Sequence, residues 1–486
     1  MTSSLPSYNL FGLHADPISV QVEVAKGMPH FSITGMASAS IRESKDRIRS
    51  AIEHSAYRFP KTRKIIHLAP AETPKRGSHL DLPMALGLLA ASKQISIPDQ
   101  KIMALGELSL NGGVLPVLGL ISGLALAKEQ GIKKVVLPQA NLKEASKLDG
   151  LTYYPVKSLR EAVAAMNGHL ASSRNNSKKA SVTHPWKMDE IQGHEHAKRA
   201  LMIAAAGGHH VLMHGPPGTG KSLLARAFSS LLPSLTKEES LDIMKIHSVA
   251  GVPLKDIRPF RKVHHSVSRA QLLGGGSNGK PGELSLAHRG VLFLDEVPEF
   301  KREVLESLRQ PLEDGEYEMI RQHRSLKFPS QFQLIASMNP CPCGFYGDPQ
   351  HACQCHPYEI ARYQKKLSGP LMDRMDVFLP IPRLSFSKLN EKPSRSTQEM
   401  AKEIQSARKR QYQRQGKLNA ELSGMEINAL QLPEDIQNLL QSATERLGLS
   451  GRGVHKTIKL GLSIADLKGE KLSVDDLGEA LSYRNP

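Results

Sequence analysis

Along this chain the spacing of apolar residues switches between a period of two and a helical period. Ile18, Val20, Val22 and Val24 alternate with Ser19, Gln21 and Glu23, which predicts a half-buried strand. Ser40–His54 carries Ile41, Ile48 and Ile52 on a charged background and predicts a helix. A strand over Ile65–Leu68 and an apolar helix over Leu82–Ser92 follow. Gly106–Leu115 reads as a hairpin turning at Asn111-Gly112, a pair suited to the positive φ angles of a tight turn. A helix over Leu118–Glu129 and a strand over Lys134–Leu137 complete a mixed α/β unit spanning residues 1–166.

The pattern then lapses. Residues 167–186 are expected to be a linker: His169–Thr183 is rich in Ser, Asn and Lys, lacks acidic residues and has no apolar period. Over 187–385 short apolar runs return, at His210–His214, Gly290–Leu294 and Phe332–Met338, between helical stretches. That alternation predicts a parallel sheet with helices on its faces. From 386 to 486 the pattern is helical and polar, over Ser396–Gln415, Pro433–Leu447, Arg452–Lys468 and Ser473–Ser482, as in a small helical lid.

Composition narrows the class. With 486 residues, 40% hydrophobic and 23% charged, the chain has material for about three domains with their own cores. A formal charge of +17 admits a polyanionic partner such as nucleic acid without requiring one. Met1–Asp16 has neither a basic start nor a continuous apolar core, so no signal peptide is expected. Val114–Ala127 is the longest apolar stretch, too short for a bilayer and broken by Pro116, Gly119 and Gly123. A cytoplasmic protein without a membrane partner is expected.

Two local motifs carry chemistry. Gly215-Pro216-Pro217-Gly218-Thr219-Gly220-Lys221-Ser222 fits G-x-x-x-x-G-K-[ST] between a strand and a helix that should end at Pro233. The glycines let backbone N–H groups face phosphate oxygens, and the helix start adds partial positive charge there. Lys221 would reach the β- and γ-phosphates of ATP, and the Ser222 hydroxyl would ligate Mg²⁺. Gly290–Leu294 then delivers Asp295 and Glu296 at the end of a buried strand, where open α/β sheets bind ligands. Asp295 would hold Mg²⁺ through its water shell, and Glu296 would polarise the attacking water. Asn339, at the tip of a third strand, can orient that water, although a turn residue before Pro340 would look the same.

With Gly369-Pro370-Leu371-Met372-Asp373-Arg374 and Ser450-Gly451-Arg452, these motifs stand in the order of an AAA+ ATPase, and the whole chain resembles the ComM/YifB family of magnesium-chelatase-like AAA+ proteins. The resemblance implies a P-loop core with a helical lid. It places an arginine finger at Arg374 and the second sensor arginine at Arg452, where a plain Arg–Asp pair of Arg374 with Asp373 or Asp376 is the structural alternative. It sets Ile191–His194 and Ala197–Ala200 near adenine and implies a ring, most often a hexamer. The long run from Ser222 to Asp295, including Arg258–Arg261, His264-His265 and Gly274–Gly276, resembles a helix-two insertion. A second insertion would be a hairpin with arms Glu316–Arg321 and Ser325–Phe328 and tip Gln322–Arg324, where Arg321, Arg324 and Lys327 could meet DNA phosphates. The family's work is DNA branch migration in natural transformation; a chelatase-like remodelling ATPase and an ATP-dependent protease are the rival classes.

All four cysteines, Cys341, Cys343, Cys353 and Cys355, fall within fifteen residues. Four thiolates can close a tetrahedral structural Zn²⁺ site, and in a reducing compartment disulfides are the weaker alternative. Residues 1–166 resemble the Lon-type protease domain. Ser78 could stand at the nucleophile position, but Ile121 stands where the lysine base should be, which implies a binding or ring-stabilising module.

Overall fold

The computed structural model describes residues 2–97, 101–173, 184–276, 279–321, 324–367, 369–385 and 395–484. The N-terminal unit opens with β1 (Thr2–Phe11) and β2 (His14–Ala25), which pair antiparallel from Thr2 opposite Glu23 to Phe11 opposite His14. β3 (His30–Thr34) and β4 (Arg63–Ala69) complete a sheet of order β1-β2-β4-β3. The alternation of β2 buries Ile18, Val20 and Val22 against the helix Asp81–Ala91. β1 has no such signature in its sequence. Ser-rich and carrying Pro6, it becomes a strand because β2 supplies its hydrogen bonds and the core takes Leu5 and Tyr8.

A second layer holds β5 (Ile102–Ala104), the short hairpin β6 (Glu107–Leu108) and β7 (Val114–Leu115), then β8 (Lys134–Pro138) and β9 (Thr152–Val156). β5, β8 and β9 form a parallel sheet. Ser173, inside the expected linker, bridges back to Tyr153, and Leu170 packs on the first core. Half of that linker, residues 174–183, lies outside the described residues.

The second unit is built on five parallel strands, drawn from β10 (Val211–His214), β11 (Phe260–Val263), β14 (Val291–Leu294), β17 (Gln333–Met338) and β18 (Val377–Pro380). Their order is β11-β14-β17-β10-β18. Successive residues feed opposite cores: Phe293 and Ile335 face the helices Glu195–Gly207 and Lys221–Phe228, while Leu292, Leu294 and Leu334 face the other side. This is the AAA+ sheet, buried on both faces as parallel sheets are. Two expectations are corrected here. Phe260–Val263, read with the insertion, is an edge strand paired to β14; with one neighbour only, it tolerates Arg261 and Lys262. The P-loop helix ends at Phe228 rather than at Pro233, and the chain turns through Ser229–Leu231.

Within the insertion, β12 (Gly274–Gly275) and β13 (Lys280–Pro281) form a two-residue ribbon. The second insertion is the expected hairpin, β15 (Glu316–Arg321) against β16 (Arg324–Pro329). Its tip residues Gln322 and His323 lie outside the described residues, as do the side chains of Arg321 and Arg324. Midway along the hairpin, opposite Met319, Leu326 is buried against two glycines of other elements, since a Cβ on Gly12 or on Gly279 would stand 2.7 Å from its methyl groups. Gly12 is the β1–β2 turn, so the hairpin seats on the N-terminal unit. A second seam joins the helices Leu120–Glu129 and Lys237–Ala250, where the Gly119 N–H donates to Ser248 O at 3.0 Å.

The chain closes with helices Thr397–Gln415, Glu434–Leu447, Gly451–Lys468 and Val474–Ser482, a helical lid. Ser396 and Ser473 cap two of them by capping boxes. No helix among the described residues is long and apolar enough to cross a membrane.

Candidate nucleotide site

The P-loop joins the C-terminal end of β10 to the helix Lys221–Phe228. Gly215 passes so close to the Ile381 carbonyl that a Cβ would lie 2.2 Å from its oxygen. Gly218 and Gly220 take φ of 78° and 86°, and a Cβ on either would meet nothing within 4 Å. The loop is therefore held from behind and open in front, the shape of a phosphate cradle. The Lys221 ammonium donates to the carbonyls of Gly215 at 2.6 Å and Pro216 at 2.7 Å and to Asn339 Oδ1 at 3.3 Å. Burial lowers its pKa to about 8, against the pull of Asp295 and Glu296.

Asp295 is the hub of the site. Its Oδ2 accepts from Ser222 Oγ at 3.1 Å and from Lys262 Nζ at 2.7 Å, and its Oδ1 from Ser337 Oγ at 2.5 Å. Burial pushes the carboxyl pKa up, but the Lys262 and Ser337 hydrogen bonds together bring it below its ordinary value. Ser222 and Asp295 are hard oxygen donors side by side, a set that suits Mg²⁺. Glu296 follows in a left-handed conformation, φ 57°, with its N–H donating to Ser337 Oγ at 3.3 Å. A non-glycine residue there is strained, and the strain turns an exposed carboxylate out of the strand end.

Lys221, Ser222, Asp295, Glu296 and Asn339 thus converge at one end of the sheet. Ser337 and Lys262 belong to the same network and were not singled out from the sequence. Ser337 had a signal: two residues before Asn339 on one strand, it shares that residue's face. Lys262 had none, because its strand was unrecognised.

Arg374 and Arg452 lie elsewhere. Both line a cavity of about 720 Å³ between the sheet and the lid, walled by His210, Gly290, Gln333 and Asp376. Those residues precede or begin β10, β14, β17 and β18, so the cavity is at the N-terminal ends of the strands, opposite the P-loop. The Arg374 guanidinium forms an ion pair with Glu313. Asp376 accepts from Lys456 at 2.9 Å and from the His210 N–H at 2.9 Å, tying lid to core.

The four cysteines gather directly after Asn339. All their sulfurs lie within 4.8 Å of one another, with Cys341–Cys353 at 3.7 Å and Cys343–Cys353 at 3.6 Å. A tetrahedron with metal–sulfur bonds of about 2.3 Å has edges of about 3.8 Å, so the set fits Zn²⁺. N–H groups of Cys343 and Tyr346 donate to Cys355 and Cys341, as thiolates require. The cluster touches the P-loop: a Cβ on Gly344 would stand 2.7 Å from Pro217 Cδ.

Family profiles match three successive stretches: subunit ChlI of Mg-chelatase over residues 20–141, magnesium chelatase subunit ChlI over 187–389, and the ChlI C-terminal region over 394–484. Competence protein ComM of Haemophilus influenzae is 38% identical over 488 residues, 97% of this chain and 95% of that protein. YifB of Salmonella typhimurium is 39% identical over 483 residues, with the same coverage of both chains. The chain belongs to the ComM/YifB family of magnesium-chelatase-like AAA+ ATPases.

Lon protease of Treponema pallidum is also similar, 28% identical over 166 residues, 32% of this chain and 19% of that protein. In this ComM/YifB-family chain the Ser78 hydroxyl donates to Glu107. Ile121 is fully buried, with its N–H on Ser248 Oγ at 3.4 Å in the seam between the two units. His79 beside Ser78 is stacked on Tyr8, and burial lowers its pKa to about 4.

Proposed function

We propose that the chain is the ATP-hydrolysing subunit of a ring, probed best as a hexamer, that drives branch migration of DNA and extends heteroduplex during natural transformation. The observation that carries this reading is the division of the catalytic set between two ends of one sheet. Arg374 and Arg452 are separated from the P-loop by strands of four residues, about 13 Å, farther than an arginine side chain spans. They have a use when the arginine cavity of one copy meets the P-loop of the next.

In this reading Gly215, Pro216, Pro217, Gly218, Thr219 and Gly220 wrap the phosphates and Lys221 neutralises them. Ser222 and Asp295 hold Mg²⁺, whose charge offsets that on the β- and γ-oxygens. Asn339 positions the attacking water and Glu296 accepts its proton. Arg374 and Arg452 stabilise charge on the neighbour's transferring phosphoryl group. The four cysteines hold a structural Zn²⁺ that stiffens the segment between Asn339 and Arg374. The N-terminal unit, residues 1–166, serves binding or ring assembly, and 386–486 serve as the lid of the 187–385 core. DNA is favoured as the track by the charge of +17, by the hairpin β15–β16 and by the competence protein among the relatives.

ATPase measured with and without single- and double-stranded DNA, beside unwinding of three-strand and Holliday junctions, tests the reading. ATP hydrolysis that leaves every junction intact would refute it. A remodelling ATPase is the second reading, favoured by the chelatase family match; it requires turnover indifferent to DNA and a dedicated protein partner. Metal analysis of protein purified without chelator should find one zinc per chain.

A further inference from the structure

Asp295 Oδ2 is contested. The Ser222 hydroxyl reaches it at 3.1 Å, as expected of the two residues that would share a metal. Lys262 Nζ reaches the same oxygen at 2.7 Å. Lys262 comes from the edge strand β11, where its partner in register is Phe293, two residues before Asp295 and on the same face. Its ammonium passes 5.7 Å from the centre of the Phe293 ring, so the aromatic face guides the side chain toward the carboxylate. Lys262 remains 39% exposed at its side chain, and its head is free to turn outward without dragging the strand.

An ammonium and a divalent cation both seek that oxygen, and their charges repel. With the ammonium in place, Asp295 stays ionised and aimed at Ser222. Binding of a metal at Ser222 and Asp295 then requires the ammonium to move off Oδ2, and a phosphate held by the adjacent loop is an anionic group it can turn to. We propose that Lys262 is a tethered competitor for the Mg²⁺ position, setting the metal concentration at which the nucleotide site loads and partly replacing the metal when nucleotide binds alone. The proposal rests on the ATP-site reading above.

The test uses full-length protein carrying Glu296→Gln to suppress turnover, with a fluorescent ATP analogue titrated at fixed Mg²⁺ concentrations and in EDTA. Without Lys262, in Lys262→Met, the Mg²⁺ concentration for half-maximal nucleotide binding should fall by roughly three- to tenfold, in line with loss of a partly screened charge contact. Binding in EDTA should weaken several-fold. Lys262→Arg keeps the charge and should stay near the parent on both measures, with thermal melts confirming that all three fold alike. An unchanged or raised Mg²⁺ requirement in Lys262→Met overturns the role of Lys262 alone. Parent protein that binds no nucleotide at any Mg²⁺ concentration overturns the ATP-site reading and this proposal together.

Discussion

Lys221 and Glu296 stand in the same site, and their substitutions should fail differently. The Lys221 ammonium lies inside the loop on the carbonyls of Gly215 and Pro216, and the role proposed for its charge is phosphate binding. Lys221→Ala should abolish nucleotide binding in a fluorescence titration. Glu296 stands exposed at the strand end beside Asp295, and Glu296→Gln keeps its shape while removing the proposed base. That variant should bind ATP with near-parental affinity and turn over at least a hundredfold more slowly, within the usual contribution of a positioned base. Lys221, Ser222, Asp295 and Glu296 were legible in the sequence because their geometry is local: a glycine loop and a strand end set them with few other residues. Lys262 and Ser337 reach Asp295 from 33 and 42 positions away, a proximity no local pattern encodes.

Among the elements, contacts between loops decide more than the elements themselves. The cysteine loop leans on the P-loop through Gly344 and Pro217, and Gly344 also needs its φ of 87°. Gly344→Ala should therefore weaken nucleotide binding tenfold or more while leaving the zinc content unchanged, as measured by titration and metal analysis of the same preparation. The hairpin β15–β16 is anchored by Leu326 against Gly12 and Gly279. Truncation by Leu326→Ala should cost about 2–5 kcal/mol locally and raise proteolytic cleavage at the hairpin without lowering nucleotide affinity. The hairpin was expected from the family resemblance, and the central strands were readable from their apolar runs. β1 and β11 were not. Each lies at a sheet edge, where one neighbour and solvent replace the two apolar faces that imprint a pattern on a central strand.

For the molecule as a whole, the core and the N-terminal unit each hold a buried imidazole that dislikes acid. Burial lowers the His210 pKa to about 4 despite Asp376 nearby, and Nδ1 is occupied as acceptor for the Leu334 N–H at 3.1 Å. His79 is lowered to about 4 in the N-terminal unit by its own burial. Both rings are neutral in the folded chain, whereas in the unfolded chain they take up protons below about pH 6.5. The unfolded state therefore binds more protons between about pH 6.5 and 4, and stability must fall as pH drops through that window, by at most about 3 kcal/mol per ring. Thermal melts should show that decline from pH 7 to 5, and His210→Gln should flatten it. Asp376 acts lower: its pKa is held well below the ordinary carboxylate value, burial being outweighed by Lys456 and His209, so its contribution is intact above about pH 4 and is lost only as pH falls further.

Assembly is the other property of the whole molecule. If Arg374 serves a neighbour's ATP, Lys221→Ala and Arg374→Ala chains are each inactive alone, but mixed rings contain some sites with both groups intact. Mixing the two should restore a measurable fraction of ATPase; strict inactivity of the mixture would place Arg374 outside the trans role. The sequence by itself determined the magnesium-chelatase-like AAA+ class and brought forward Lys221, Ser222, Asp295 and Glu296 as one candidate site, because each depends on residues adjacent in the chain. Tertiary structure alone decided that Lys262 shares Asp295 with Ser222, that the cysteine loop touches Pro217, and that both arginines lie at the far end of the sheet from Lys221. The physical reason is that a parallel sheet separates the two ends of every strand, so residues that serve one reaction can be assigned to opposite ends while their sequence motifs still read in order.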